Sequence, residues 1–363
     1  MRYLNLVLLF LVGAAAGSEQ PSAQPFPLWD GNEPVAEYAR HVNLPRTRAL
    51  DLGGGVKLEM VLVPAGKFVM GTPEPPPLDE TPFRNQISRG QTLLAVSSGV
   101  LLLLLCVVVY RSILQRRKIK FSLLWLLIAT VVAGGAVLSA LHVHKWDRLL
   151  EEARAEAAAA QARYLVGRDD EKPAQEVTLT RAYYMGKFPV TQEQWQQYMG
   201  GNPSHFKGKN NPVEMVNWLD AESFCEKLRL QTNEMIRLPS QAEWEFACRA
   251  GTRSEYYSGD SVQDLWRAGW FKDNAVNATH AVGLKESNWF GLYDMHGNVW
   301  QWCEDLYSRK HVSNSEERAM RGGSFRSGEV ACRSACRSSG LPGAHHEYFG
   351  FRVVMAAQPR GQE

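Results

Sequence analysis

Three apolar stretches stand out from an otherwise mixed pattern of hydrophobic and polar positions. Residues 1–17 carry one early charge, Arg2, and then an apolar run that ends in small residues. The run is short for a bilayer, and alanines 14–16 resemble a cleavage site, so the pattern predicts a signal peptide. An uncleaved N-terminal anchor is the alternative. Residues 18–49, with their scattered prolines, are interpreted as a linker.

The other two apolar stretches lie close together and carry no charge. Residues 92–110 and 121–143 each match the roughly 20 residues that a helix needs to cross a bilayer. The connector 111–120 is rich in arginine and lysine, which predicts a cytoplasmic loop. We therefore expect a transmembrane hairpin, preceded by a linker (73–91) and followed by a helical stalk (144–169) of strong helix formers.

An even number of crossings returns the chain to the side from which it entered. Residues 50–72 and 170–357 would then both lie outside the cytoplasm, in the periplasm or the extracellular space, and could form one domain. Strand patterns occur in both parts, at 58–63 (LEMVLV) and 175–180 (QEVTLT). Residues 358–363 are interpreted as a tail.

The second part of this domain carries two helix signals. Residues 220–231 begin with an acidic turn and place Phe224 and Leu228 on one face. Ser240 followed by Glu243 is a capping box that predicts a second helix. Glycine, tryptophan and short strand patterns dominate elsewhere in this part.

Charge excludes one class of partner. The chain has 40 basic and 38 acidic residues, a net charge of +2, so no overall field is directed at a nucleic acid. We expect contact with membrane lipid through the two apolar helices, and no nucleic-acid partner.

A series of short phrases runs through the chain in a fixed order. This series resembles the formylglycine-generating (sulfatase-modifying factor) family, and implies an irregular, C-type-lectin-like α+β fold that is interrupted here by the transmembrane hairpin. The phrases are PAGKFVMGT (64–72), DEKPAQEVTLTRAYYMGKFPVTQEQW (170–195), NPVE (211–214), RLPS (237–240), GLYDMHGNVW (291–300), RGGSF (321–325) and GFR (350–352).

The resemblance also implies where catalysis would occur. Active members oxidise a substrate cysteine to formylglycine and hold copper(I), which prefers soft thiolates, with two cysteines after the Gly-Gly-Ser phrase. Counted from Gly322, these positions are Ser327 and Cys332; counted back from residues 350–352, Cys332 also falls out of register. The cysteine pair is incomplete, so we expect no copper. Ser324, Ser327 and Cys332 are the candidate catalytic residues if any oxidoreductase activity is kept.

The remaining cysteines leave several arrangements open. Cys332 and Cys336 could form a substitute pair if their segment were helical, or one could pack in the core while the other forms a disulfide. Disulfides are permitted in an exported domain. Cys303 with Cys332, and Cys225 with Cys248, are the pairs that we consider, although the sequence does not fix the connectivity.

Family members hold calcium at the Gly-Asn-x-Trp turn. Carried over, the resemblance implies a structural calcium ion held by the side chains of Asp294 and Gln301 and by the carbonyls of Gly297 and Val299. All four supply oxygen donors, which suit a hard cation. A turn held by ordinary hydrogen bonds is the alternative.

The incomplete cysteine pair favours a non-catalytic binding or scaffolding module that is anchored in a membrane. The inserted hairpin favours a subunit of a larger membrane complex. The alternative is a formylglycine-generating oxidoreductase that acts on a cysteine of sulfatase-type substrates.

Overall fold

The structure is a computed structural model that describes residues 26–74, 77–114, 121–166, 171–307 and 316–358. The predicted signal peptide, residues 115–120 of the predicted cytoplasmic loop and residues 359–363 of the predicted tail lie outside these ranges.

Helices and strands are mixed along the described residues, which confirms the α+β class. The helices are α1 (Val35–His41), α2 (Thr81–Leu114), α3 (Phe121–Val166), α4 (Gln192–Met199), α5 (Trp218–Thr232), α6 (Gln241–Arg249) and α7 (Val262–Ala268). The strands are β1 (Thr47–Asp51), β2 (Lys57–Val63), β3 (Gly66–Met70), β4 (Gln175–Leu179), β5 (Tyr183–Gly186), β6 (Ile236–Arg237), β7 (Gly269–Trp270), β8 (His296–Gly297), β9 (Trp300–Leu306), β10 (Arg318–Arg321), β11 (Arg337–Gly340), β12 (Phe349–Phe351) and β13 (Val354–Ala356).

A five-stranded sheet joins the parts of the domain that lie before and after the inserted hairpin. Its order is β1-β2-β5-β13-β6, and all its neighbours are antiparallel. β2 precedes the hairpin and pairs with β5 after it, with Val61 opposite Met185. β3 and β4 form a two-stranded ribbon across the same break, from Gly66 opposite Leu179 to Met70 opposite Gln175. The two parts therefore form one fold, as the sequence predicts.

A second sheet carries the segment that follows the Gly-Gly-Ser phrase. Its order is β11-β10-β9-β12, with β12 parallel to β9 and the other pairs antiparallel. Aromatic residues fill the core beside the sheets: Trp195 stacks on Phe224 with ring centroids 5.7 Å apart, and Phe351 meets both rings edge-on. Rings of this size supply most of the buried apolar area of such a core.

Both predicted helices are present, and α6 begins where the capping box predicts. At α6, Ser240 Oγ accepts a hydrogen bond from the N–H of Glu243 (3.2 Å), and Glu243 Oε2 accepts one from the N–H of Ser240 (2.8 Å). α5 has the same reciprocal cap, formed by Asn217 and Asp220, and so begins at Trp218, two residues before the predicted start. Each cap satisfies N–H groups that a helix end leaves unpaired.

The interpretation of residues 18–49 as a linker is wrong for the described residues from 26 onwards. α1 buries Tyr38, whose hydroxyl donates to the Pro27 carbonyl (2.9 Å) and accepts from the Ala65 N–H (3.2 Å). β1 pairs with β2 along its whole length. The described prolines of this stretch, Pro27, Pro34 and Pro45, lie outside α1, and Pro34 directly precedes it, a position that suits proline.

The inserted segment is a hairpin of two long helices. α2 begins at Thr81, so part of the predicted linker 73–91 is helical, and α3 continues the predicted stalk to Val166. Arg154 of α3 pairs with Glu80, just before α2, with Nε 2.8 Å from Oε1. In the described part of the chain, no helix has both the length and the apolar character that a membrane crossing requires. The predicted spans 92–110 and 121–143 are thus helical but gain no support as spans.

The two disulfides considered from sequence are not formed. Cys225, Cys248, Cys303 and Cys332 carry free, buried thiols. The packing explains this result, because Cys225 and Cys248 lie in different hydrophobic clusters, and so do Cys303 and Cys332. The short helical turn Glu329–Cys332 ends at Cys332, so Cys332 and Cys336 do not share one helical face.

Candidate functional site

The Gly-Gly-Ser phrase forms a tight turn at the end of β10. Gly322 and Gly323 both have positive φ, 97° and 74°. A Cβ on Gly323 would lie 2.6 Å from Cys332 Sγ, so only glycine allows the thiol to approach this closely. The Gly322 carbonyl accepts a hydrogen bond from the Gly297 N–H (2.7 Å), which links this turn to the predicted calcium turn.

The structure brings Ser324, Ser327 and Cys332 together at this turn, but not as a reactive group. The two serine hydroxyls lie 3.1 Å apart, and Ser327 Oγ also accepts from the Ser324 N–H (3.0 Å). Cys332 is fully buried, and burial raises the pKa of its thiol well above the ordinary value. The thiol is therefore protonated at neutral pH, whereas a nucleophile or metal ligand must be a thiolate.

His296 joins this cluster and was not singled out by the sequence. Its Nδ1 lies 2.7 Å from the Cys332 carbonyl oxygen, and its Nε2 accepts from the Tyr257 N–H (3.1 Å). These partners assign the proton to Nδ1. Burial lowers the pKa of His296 to about 3, so the ring is neutral at physiological pH.

Cys248 lies beside the same imidazole, with Sγ 3.8 Å from His296 Nε2. Burial raises the pKa of Cys248 to about 12. A catalytic cysteine–histidine pair needs a thiolate stabilised by a charged imidazole. Here both shifts favour the neutral forms, so this pair packs in the core and is not an activated nucleophile. No local sequence signal distinguishes a catalytic cysteine–histidine pair from one that only packs in the core.

The predicted calcium ligands lie in one turn, and their side-chain oxygens already have protein partners. Asp294 Oδ2 accepts from the Gly283 N–H (2.8 Å), and Oδ1 accepts from Asn298 Nδ2 (3.2 Å). Gln301 Oε1 accepts two hydrogen bonds, from Trp244 Nε1 (2.8 Å) and Arg352 Nε (2.6 Å). The Gln301 oxygen therefore has no free lone pair for a metal ion.

A guanidinium group lies next to this turn. Arg352 Nη2 donates to the carbonyls of Tyr293 (2.7 Å) and Asp294 (3.1 Å), and Nη1 donates to the Gly186 carbonyl (2.9 Å). Arg352 is fully buried, and burial lowers its pKa to about 10, so it keeps its charge at neutral pH. The residues present do not fit a calcium ion. The described residues also hold no cluster of three or more His, Cys, Asp or Glu side chains arranged for a metal.

A buried ion-pair network supports the segment after the Gly-Gly-Ser turn. Glu245 Oε2 lies 2.8 Å from Arg321 Nη2, and Oε1 lies 2.9 Å from Arg249 Nε. Arg321 Nη1 donates to the carbonyls of residues 334–336 at 3.0–3.3 Å. Burial would raise the pKa of Glu245, but the two arginines outweigh it and hold the pKa below its ordinary value. Of these residues, only Arg321 lies inside one of the motif phrases, and the sequence predicts no role for it.

The comparisons with known proteins agree with the order of the motif phrases. A family model described as "Sulfatase-modifying factor enzyme 1-like domain" matches residues 147–357. The chain is 32% identical to a chaperone protein LppX of Paenibacillus barcinonensis over 39% of this chain and 69% of that protein. It is 28% identical to the formylglycine-generating enzyme of Mus musculus over 46% of this chain, and spans about half (50%) of that enzyme's length.

Two further matches extend over most of the chain. The chain is 25% identical to the inactive C-alpha-formylglycine-generating enzyme 2 of Bos taurus, over 87% of this chain and 94% of that protein. The fold is similar to that of Treponema denticola variable protein 1, with a TM-score of 0.56, 21% identity, and coverage of 86% of this chain and 100% of that one. Because the family model covers more than half of the chain, this protein belongs to the sulfatase-modifying factor enzyme 1-like domain family.

Proposed function

We propose that the domain is a non-catalytic binding or scaffolding module of its family. The observation that carries this proposal is the state of Cys332. Its thiol is fully buried and protonated, and the position predicted for its partner holds Ser327. A hydroxyl is a poor ligand for copper(I), and a single protonated thiol does not replace a thiolate pair. The similarity to a bovine protein named as inactive, over 94% of that protein, agrees with this proposal.

Exposed tryptophans give such a module contact positions. Trp289 is 81% exposed and Trp266 is 47% exposed. Lys285 Nζ donates to the Trp266 carbonyl (2.6 Å) and lies 4.0 Å from the centre of the Trp270 ring. Lys285 therefore connects Trp266 and Trp270 in one patch. Tryptophan is enriched among the residues that carry binding energy in protein interfaces. The lectin-like character implied by the family resemblance fits a binding role of this kind.

The second part of the proposal is membrane anchoring through the hairpin. It rests on the uncharged runs 92–110 and 121–143 and on the large apolar side chains that α2 and α3 expose, not on a span found among the described helices. Burying those side chains in lipid would remove apolar surface from water, which favours insertion. The exposed side chains are Val96, Val100, Leu103, Leu104 and Val107 on α2, and Val137, Leu138 and Leu141 on α3.

With the hairpin inserted, the domain would lie outside the cytoplasm as a module or as a subunit of a membrane complex. Protease added outside intact cells should then cut within 145–164 and spare the arginines at 116 and 117. Cleavage at 116–117 with 145–164 protected would invert this topology, and recovery of the chain in the soluble fraction would overturn the anchor. A protein recovered from mild detergent only as a monomer would contradict the complex.

The alternative is a formylglycine-generating oxidoreductase, and the similarity to a mouse protein named formylglycine-generating enzyme favours testing it. The full chain is given copper(I), oxygen and a peptide with a Cys-x-Pro-x-Arg sequence, and the product is analysed by mass spectrometry. We expect no formylglycine. Product that is lost in Cys332→Ala, but kept in the matched control Cys225→Ala, would establish the oxidoreductase instead.

A further inference from the structure

The two ends of the hairpin insertion meet at one buried ion pair. Thr72, where the chain leaves the domain, donates from its N–H to the Glu171 carbonyl (3.1 Å) and from Oγ1 to Glu171 Oε2 (2.9 Å). Arg333 holds the same carboxylate, with Nη2 3.0 Å from Oε1 and 2.9 Å from Oε2. All three side chains are buried. One guanidinium nitrogen thus lies against both carboxylate oxygens, a charge-assisted contact that is stronger than one between neutral groups.

Arg333 is shared between the root of the hairpin and the core of the domain. Its Nη1 lies 3.3 Å from Glu255 Oε2, and the Glu255 carbonyl accepts from the N–H of Ser334 (2.7 Å). Arg333 directly follows Cys332 in the chain. One guanidinium therefore connects the insertion to the segment that carries the predicted catalytic position.

A second set of contacts reaches the same segment from the strand before the hairpin. The Gly71 N–H donates to Glu245 Oε1 (2.9 Å), and its carbonyl accepts from Arg249 Nη2 (3.0 Å). Glu245 also pairs with Arg321, which holds the carbonyls of residues 334–336. The backbone before the insertion and the backbone after Cys332 are thus fixed to one buried charge network.

The geometry points to a latch: we propose that Glu171 and Arg333 transmit movements of the hairpin to the segment 332–336. In the latched state Arg333 is paired with both Glu171 and Glu255. When the hairpin shifts and withdraws Glu171, Arg333 keeps only its pair with Glu255. A buried charge that loses one partner is poorly compensated, so Arg333 and the segment around Ser334 become less firmly held. The paired and unpaired arrangements supply the two discrete states that such coupling requires.

The test loosens the hairpin at a distance from the latch. Arg154 bridges α3 to Glu80 with hydrogen bonds of 2.8 and 3.0 Å, so Arg154→Gln weakens the contact between the helices near their base. Arg148→Gln is the matched control, because the ion pair of Arg148 with Glu152 lies within α3. Hydrogen exchange of the peptide that contains Ser334 is measured by mass spectrometry on the full chain in detergent.

We expect Arg154→Gln to speed exchange at Ser334 by about threefold or more, while Arg148→Gln leaves it within about 1.5-fold of wild type. In a Glu171→Gln background, Arg154→Gln should add nothing, because the charge that pairs with Arg333 is already removed. Wild-type exchange at Ser334 in Arg154→Gln, or effects of the two substitutions that multiply, would overturn the latch. If Glu171→Gln does not fold, Arg333→Lys takes its place in the same comparison, because lysine keeps the charge but lacks the two nitrogens that contact Glu171 and Glu255 separately. This readout does not depend on whether the domain is catalytic.

Discussion

Arg352 donates a hydrogen bond from Nε to Gln301 Oε1 at 2.6 Å, and both residues are fully buried. The same oxygen accepts from Trp244 Nε1. This arrangement takes up the side-chain oxygen that the family resemblance assigns to calcium. It places the positive charge of a guanidinium beside the turn in which calcium would bind.

The turn should therefore be independent of calcium. We expect added calcium or EDTA to move the melting temperature of the full chain by no more than about 1 °C, since a specific ligand present well above its Kd would stabilise the fold by about 2.7 kcal/mol or more. Differential scanning fluorimetry measures this directly. A rise of several degrees in the melting temperature with calcium, reversed by EDTA, would contradict this prediction and support the predicted calcium site.

Removing the charge of Glu245 should cost much more stability than removing that of a partly exposed carboxylate. Glu245→Gln leaves Arg321 and Arg249 with a neutral partner in a fully buried site, and we expect a loss of about 3–5 kcal/mol in the free energy of unfolding. Glu222→Gln is the control, because its pair with Arg229 is partly exposed and should cost about 1 kcal/mol or less. Urea denaturation followed by tryptophan fluorescence compares the two; equal losses would contradict the network.

His296 should make the domain less stable in acid. The folded ring stays neutral down to a pKa of about 3, whereas the unfolded ring takes up a proton near its ordinary 6.5. The unfolded state thus binds more protons between these values, so stability falls as pH drops through that window, by at most about 1.4 kcal/mol per pH unit. Urea denaturation at several pH values should show a shallower slope for His296→Gln than for the exposed control His345→Gln. Identical slopes would exclude His296 as the source.

A side chain at Gly323 should destabilise the fold while Cys332 is present. A Cβ there would lie 2.6 Å from Cys332 Sγ at a positive φ of 74°, so we expect Gly323→Ala to cost about 2–3 kcal/mol. Adding Cys332→Ala should recover part of this loss, because the thiol is removed but the backbone strain stays. Gly328→Ala, which meets no atom within 4 Å, should be nearly neutral in the same urea titration. A loss that the double variant does not reduce would disprove the contact.

Predictions that rest on residues close together in the sequence agree best with the structure. The capping box of Ser240 and Glu243 forms as predicted, because both partners lie within one turn of backbone. The strand patterns at 58–63 and 175–180 correspond to β2 and β4. The linker interpretation of residues 18–49 was wrong because the contacts that order this stretch are not local. The Tyr38 hydroxyl bonds to Pro27 and to Ala65, and Ala65 lies 27 positions away in the chain.

The sequence by itself determined the family, the α+β class and the capped start of α6, since each depends on residue identity or short spacing. Only the tertiary structure decided what the charged and sulfur-bearing residues do. Glu245 and Arg321 are 76 positions apart, and each reads as an ordinary surface charge until folding buries both. Burial likewise keeps the Cys332 thiol protonated, and the Gln301 oxygen finds its two donors, Trp244 and Arg352, about 50 or more positions away, which residue order does not specify.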